Sequence, residues 1–441
     1  MSKEQEPEEL EIEFPEVTFV AAGANDEERG SNLGLVMESP GYPTTCILIA
    51  DAILRRADTI VLDYSARAVK VRFQIDGIWQ TMPPMDRQTG DYMLAAIKQL
   101  AGMNYKERRQ RQKGSFEALF EGKKIKPKMV SQGVATGERV AIFTNRKKPP
   151  AETVEELGMR PRMREVLSEQ LGAESGIIIS CGMPKEGFTT SWRATLNAFD
   201  RFTRDFYVIE EKRKQEPEVI NISRKTFDKK AGEDFWTPIP QLMLLEPDVL
   251  IFSEIPEAAT LNKIMDLAEK NNLLIVLRIE AKHALDALIR VIELKPNVEQ
   301  LLRLTKCVLS MRSLRLLCEK CKLPYTPNPN LLARLGIPPG RIQYLYQPFK
   351  WNAQMRTEED EPVDPCPDCM GVGYMELSGL FELLVLNDPI REAVKAAPQL
   401  EMLAQHAKQS NHISIQDEGI VMVAKGSTSI EELQRVLKKE K

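Results

Sequence analysis

Residues 176–190 read Gly176-Ile-Ile-Ile-Ser-Cys-Gly182-Met-Pro-Lys185-Glu-Gly187-Phe188-Thr189-Thr190. An apolar run leads into a turn bracketed by glycines and then into a helical start. A loop that wraps phosphate follows the pattern GxxxxGK[ST]. Its glycines let backbone N–H groups face the phosphate oxygens, its lysine neutralises them and its hydroxyl holds magnesium. Gly182, Gly187 and Thr189 keep that spacing, with Thr190 behind them, but Phe188 stands where the lysine belongs. A charged hydrogen bond to phosphate is typically worth about 1.5–3 kcal/mol, and Glu186 adds a negative charge inside the loop. Lys185 is the cation within the loop able to substitute. Two readings stay open here: a strand-turn-helix that only keeps its shape, and a working site served by Lys185.

Outward from this stretch, the runs GIIISCG, DFYVIE, DVLIF and LLIVLRI each adjoin a helical pattern. That alternation predicts an α/β domain with a parallel sheet. A polar stretch over 211–237 is expected to hold a hairpin or loops. A long helix is expected over about Val298 to Leu317, and the chain reads as helical from about Asp388. Ser429 and Glu432 have the spacing of a capping box. Upstream, CILIADAILRRA and DYMLAAIKQLAGM read as helices, and VKVRFQIDGIWQTM as a hairpin turning at Asp76-Gly77. With strands near Lys128–Ser131 and Arg139–Thr144 they make a small α+β domain. The expected plan is a disordered acidic lead-in over 1–43, the α+β domain over 44–146 and a linker over 147–158. An α/β core over 159–306, a tetracysteine module over 307–376 and a helical region over 377–441 complete it.

The chain has 441 residues, 43% hydrophobic and 28% charged, with a net charge of -4. Two or three soluble domains are implied, and there is no global case for nucleic-acid binding. The basic run Lys106 to Lys113 lacks the interleaved aromatics that stack bases. No run approaches the roughly 20 apolar residues that span a bilayer, and the acidic N-terminus has no apolar signal core. A cytoplasmic protein, peripheral if it works at a membrane, is expected. Of the seven cysteines, Cys318, Cys321, Cys366 and Cys369 form two CxxC pairs. In a reducing compartment such pairs point to a closed, structural zinc site with sulfur bonds of about 2.3 Å. A zinc-dependent nucleic-acid-binding protein is a weaker reading of the same cysteines.

Several motifs then fall in a telling order. They are the hairpin Val71–Gly77, Glu107-Arg108-Arg109 with Gln112 and Gly114, Gly137–Val140, the phosphate-loop stretch, Ile209-Glu210-Glu211, Pro247-Asp248 through Ser253-Glu254, and Ser310–Cys318. GYMELSGLFELLVL and the closing segment from Ile413 follow. Together they resemble the type II secretion and type IV pilus assembly ATPases. The resemblance implies a PAS-like N-terminal domain, a RecA-like P-loop domain with a zinc-binding insertion, and a homo-oligomeric, hexameric ring. It also implies partners in an inner-membrane platform, with no nucleic acid, and it brings ATP and Mg2+ into question. By the same resemblance Glu254 polarises the attacking water, Glu210 belongs to an acidic box and Asp248 lies on the Walker B strand.

The departures gather where phosphate is handled. Phe188 replaces the lysine, and Ser115 and Phe143 fall near family arginines. Ser253 replaces a glycine, and Pro256-Glu257 replace Arg-Asp. Glu280 stands for a histidine, and His283 for an aspartate. An arginine acting on the transferring phosphoryl group is worth about 10³–10⁵ in rate. The expectation is a subunit whose hydrolysis is weakened or lost, serving a secretion or pilus system beside an active paralogue. The alternative is a divergent but active motor.

Overall fold

The computed structural model describes residues 14–145, 151–254, 257–338, 340–352, 354–357, 360–396 and 399–438. The chain divides into two compact units, Met1–Pro149 with Asn352–Val372, and Pro150–Trp351 with Gly373–Lys441. This division assigns Asn352–Val372, part of the expected cysteine module, to the N-terminal unit.

The N-terminal unit runs β1 (Thr18–Val20), α1 (Asp26–Met37), α2 (Tyr42–Leu54), β2 (Ala57–Tyr64), β3 (Ala68–Ile75), β4 (Ile78–Thr81), β5 (Met85–Asp86) and α3 (Arg87–Leu100). Then follow β6 (Gln112–Ser115), β7 (Glu117–Phe120), β8 (Lys123–Ile125), β9 (Lys128–Val134) and β10 (Gly137–Phe143). The main sheet has the order β4-β3-β2-β10-β9-β6 with β5 beside β3, and β1-β7-β8 form a smaller one. The β3–β4 hairpin turns at Asp76 (φ 50°) and Gly77 (φ 80°), the two left-handed residues that a tight hairpin needs.

The lead-in is not disordered where it is described; residues 1–13 lie outside the described part. Val17 and Phe19 are buried, β1 pairs with β7, and Asn25 caps α1 by accepting the Glu28 N–H at 2.8 Å. A few large apolar side chains in polar surroundings suffice to dock a segment whose average composition looks unstructured.

The second unit opens with α4 (Pro161–Leu171), β11 (Gly176–Gly182), α5 (Phe188–Asn197), β12 (Phe206–Glu211), β13 (Ile222–Phe227), α6 (Ile239–Met243), β14 (Val249–Phe252), α7 (Ala258–Asn271) and β15 (Leu274–Glu280). It continues through α8 (Ala284–Glu293), α9 (Val298–Leu304), β16 (Thr305–Leu317), β17 (Leu323–Tyr325), α10 (Pro329–Arg334), β18 (Leu345–Gln347) and β19 (Tyr374–Val385). Four helices close it: α11 (Asp388–Ala396), α12 (Leu400–Gln409), α13 (Ile415–Ala424) and α14 (Ile430–Leu437). Its sheet has the order β13-β12-β14-β15-β11-β16-β19, parallel except for β19. Ile177 and Ile179 face one core while Ile178 faces the other. Burial on both faces explains the unbroken apolar run of β11.

Two expectations need correction here. Residues 305–317 are a strand, not the end of a long helix, because β11 and β19 pair with them from both sides. With both faces covered, the alternation that would betray a strand is erased. The polar stretch 211–237, expected to hold a hairpin or loops, holds loops and also a parallel edge strand, β13, which pairs with β12.

The last helix is fastened by charge. Ser429 caps α14 through the Glu432 N–H at 3.1 Å. Glu432 does not complete a capping box, which the structure places instead at Ser414 and Asp417. Its carboxylate, wholly buried, accepts from Arg315 Nη2 and Arg435 Nη2, both at 2.7 Å. Arg315 also lies 4.0 Å over the Tyr374 ring. Burial alone would raise the Glu432 pKa, but hydrogen bonds from Arg435 and Arg315, with the Arg315 charge, outweigh it and hold the group at about 2. A depressed carboxylate stabilises the fold above its unfolded value and loses that contribution as pH falls. Stability should therefore drop between pH about 4.5 and about 2. Glu432→Ala leaves Arg315 buried without its counter-charge and should cost about 3–5 kcal/mol. An acid and urea titration of both proteins checks this: the variant should melt earlier at neutral pH and lose part of the acid-dependent drop.

Candidate functional site

The loop Met183–Gly187 leaves the C-terminal end of β11, a central strand, at the sheet edge where open α/β folds bind ligands. Gly187 turns it into α5 with φ 85°, and a Cβ there would stand 2.4 Å from Ser313 Oγ. Only glycine suits both constraints. Thr189 and Thr190 follow in the first turn of α5, which has no side-chain cap. So far the loop has the shape of a phosphate cradle.

The protein's own side chains pack against it. Phe188 is 4% exposed, and a Cβ built on Gly182 would lie 2.8 Å from its ring. On the ring sits the Arg278 guanidinium, 4.3 Å from the centroid, and Arg278 is ion-paired with Glu216. Glu186 is gripped by both arms of Arg312, at 2.8 and 2.9 Å, while Ser313 Oγ and N–H donate to its carbonyl at 2.8 and 3.1 Å. Lys185 is exposed with φ 67°.

The acidic residues are engaged as well. Glu254 lies just beyond β14, on the loop side, and accepts from Lys214 at 2.8 Å and Lys229 at 3.3 Å. Partial burial pushes its pKa up, but the two lysines more than offset this and hold it below the usual carboxylate range. Glu210, 2% exposed, accepts from Ser253 Oγ at 2.6 Å and pairs with Arg224 at 3.0 Å. Asp248 is not brought to the loop. It precedes β14, at the opposite end of the strand from Glu254, and its carboxylate accepts the Asp205 N–H at 2.7 Å. His283 caps α8, its Nδ1 accepting the Asp286 N–H at 3.1 Å. Ile255 and Pro256 lie outside the described residues. Beside α5 a cavity of about 240 Å³ is lined by Thr189, Trp192, Glu210, Glu216 and Arg224, among others.

Sequence reasoning missed Arg278, Glu216 and Arg312. Arg278 pairs in register with Ser180 of β11, so the order of the strands would have pointed to it. Nothing in the sequence pattern marks Glu216.

The second cluster is the set of four cysteines. Cys318, Cys321, Cys366 and Cys369 bring their sulfurs within 4.8 Å of one another, and they are the one such group among the described residues. In the first turn the Lys322 N–H reaches the Cys318 carbonyl at 3.0 Å. In the second the Met370 N–H reaches the Cys366 carbonyl at 2.7 Å and the Val372 N–H that of Cys369 at 3.1 Å. Sulfurs around a tetrahedral ion at about 2.3 Å stand roughly 3.8 Å apart, so the donors fit a thiolate-bound metal. Cys181 and Cys307 lie elsewhere, their thiols pushed up by burial.

Comparison with known proteins agrees with the order of the motifs. A family model described as type II/IV secretion system protein matches residues 42–435. Type II secretion system protein E of Pseudomonas aeruginosa is 25% identical over 395 residues, 89% of this chain and 74% of that protein. Type IV pilus assembly ATPase PilB of Thermus thermophilus is 24% identical over 388 residues, 88% and 42%. The solved structure of the Legionella pneumophila ATPase DotB aligns over 88% of this chain and 93% of its own at 10% identity, with a TM-score of 0.49. No described helix is long and apolar enough to cross a membrane. With the family pattern running through all but the ends of the sequence, the chain belongs to the type II/IV secretion system protein family.

Proposed function

We propose that this chain is a subunit of a secretion or pilus-assembly machine that has lost ATP hydrolysis and serves as a scaffold or regulator in a homo-oligomeric, hexameric ring. Its partners are then an inner-membrane platform and an active paralogue, and it acts at the cytoplasmic face as a peripheral protein. The observation that carries the reading is the Phe188 ring packed on Gly182 under Arg278.

The magnitudes favour this reading over a divergent motor. Re-exposing a buried phenylalanine costs about 1.5–3 kcal/mol, and the missing lysine bond another 1.5–3 or so. Together these weaken triphosphate binding by about 10²–10⁴, at 1.4 kcal/mol per tenfold. By contrast, the lysine pairs on Glu254 are partly exposed, and such pairs are worth about 0–1 kcal/mol. They would yield to a ligand, whereas the plug would not. Lys185 would also have to act beside Glu186, whose charge Arg312 already satisfies.

Purified full chain with MgATP should release phosphate only at the background rate. Phe188→Lys should gain measurable nucleotide binding without gaining turnover. Hydrolysis at a motor's rate, abolished by Glu254→Gln, would contradict the reading.

The four cysteines are assigned to structural zinc, which would tie the two CxxC turns together and supply folding energy on the order of 10 kcal/mol in small modules. Metal analysis should find about one equivalent of zinc per chain, lost in Cys366→Ser together with a lower melting midpoint. Wild-type protein that melts identically with and without a strong chelator would remove this assignment.

A further inference from the structure

Two arginines at the end of α2 play no part in the nucleotide loop, yet both reach the second CxxC turn. Arg55 donates from Nε to Asp51 Oδ1 at 2.6 Å and from Nη1 to the Met370 carbonyl at 2.6 Å. Arg56 donates from Nη1 to the Asp368 carbonyl at 3.3 Å, and its Nη2 lies 3.7 Å from the buried Asp76 carboxylate. The two carbonyls they hold belong to the residues on either side of Cys369.

The turn needs such holding. Met370 has φ 50° and Gly371 φ 78°, so the chain doubles back directly after Cys369. Met370 is not a glycine, and a left-handed conformation there persists only where neighbours enforce it. The Arg55 side chain is 12% exposed and that of Arg56 18%. Their charges are therefore only partly screened by solvent. A divalent ion held by four thiolates carries net negative charge, which nearby cations stabilise.

We propose that Arg55 and Arg56 are positioning residues of the cysteine site. They fix the Cys366–Cys369 turn in the geometry that accepts the ion, and they offset the charge of the bound thiolates. The proposal rests on the zinc assignment above, and groups that orient metal ligands in this way typically change affinity by about 10–100-fold when removed.

The test is metal loss to a chromogenic chelator from zinc-loaded full chain, alongside the absorption spectrum of the cobalt-substituted protein. In Arg55→Met/Arg56→Met, metal should leave about 10–100-fold faster. The sulfur-to-cobalt charge-transfer band should move, while the bands of tetrahedral cobalt keep their intensity. Arg55→Lys/Arg56→Lys keeps the charge but not the fork, so its charge-transfer band should stay near the wild-type position while metal still leaves faster. Should the double methionine variant fail to fold, Arg55→Met alone frees only the Met370 carbonyl, and a several-fold faster release is expected of it. Release within twofold of wild type with an unmoved band overturns the role of the arginines. So does faster release that merely follows a lower melting point of the metal-free protein. Wild-type protein that retains no zinc would instead overturn the zinc assignment, so the two failures are distinguishable.

Discussion

The ring of Phe188 lies against the bare backbone of Gly182, and much of the chemistry around the loop follows from that contact. A glycine leaves room for one thing in the crook of the turn. Here that is an aromatic side chain 4% exposed. Once the ring is there, its outer face is an apolar surface beneath Arg278, whose charge is then answered by Glu216. The segment after β12 is thereby drawn over α5. Phe188, Gly182, Arg278 and Glu216 thus form a small packed cluster at the loop.

The remaining charges follow the same rule. Glu186 has Arg312, Glu210 has Ser253 and Arg224, and Glu254 has Lys214 and Lys229. In a site built to meet a triphosphate such groups face the ligand or its magnesium; in this chain each described one has found a partner in the protein. These pairs are not equal. The exposed lysine contacts are weak and exchangeable, whereas the buried ring and the two-armed Arg312 grip are costly to undo. The scaffold itself needs none of these charges: β11 is sealed on both faces by aliphatic side chains.

Where the local signal was strong, the sequence was a good guide. The parallel strands were legible from apolar runs next to helical periodicity, the hairpin from Asp76-Gly77, and the cysteine cluster from the two CxxC pairs. The strand β16 was not, because neighbours on both edges and cover on both faces leave no two-residue alternation to read. The ordered part of the lead-in was hidden for the opposite reason: two or three docking residues, Val17 and Phe19 among them, are lost in a polar average. The substitution at 188 was visible as a missing lysine. That the new side chain would fold inward rather than lie on the surface depends on Gly182, Arg278 and Glu216 meeting, which is a fact of tertiary structure. Asp248 lies at the start of β14, away from the loop; a motif fixes order along the chain but not which end of a strand a residue occupies.

The most direct test is a calorimetric titration of the zinc-loaded full chain with a non-hydrolysable ATP analogue and magnesium. A loop filled by Phe188 predicts no saturable heat up to about millimolar ligand, given the penalty of about 3–6 kcal/mol from the lost lysine bond and the displaced ring. Saturation at micromolar analogue, with a bound structure in which Lys185 meets the terminal phosphate, would contradict it.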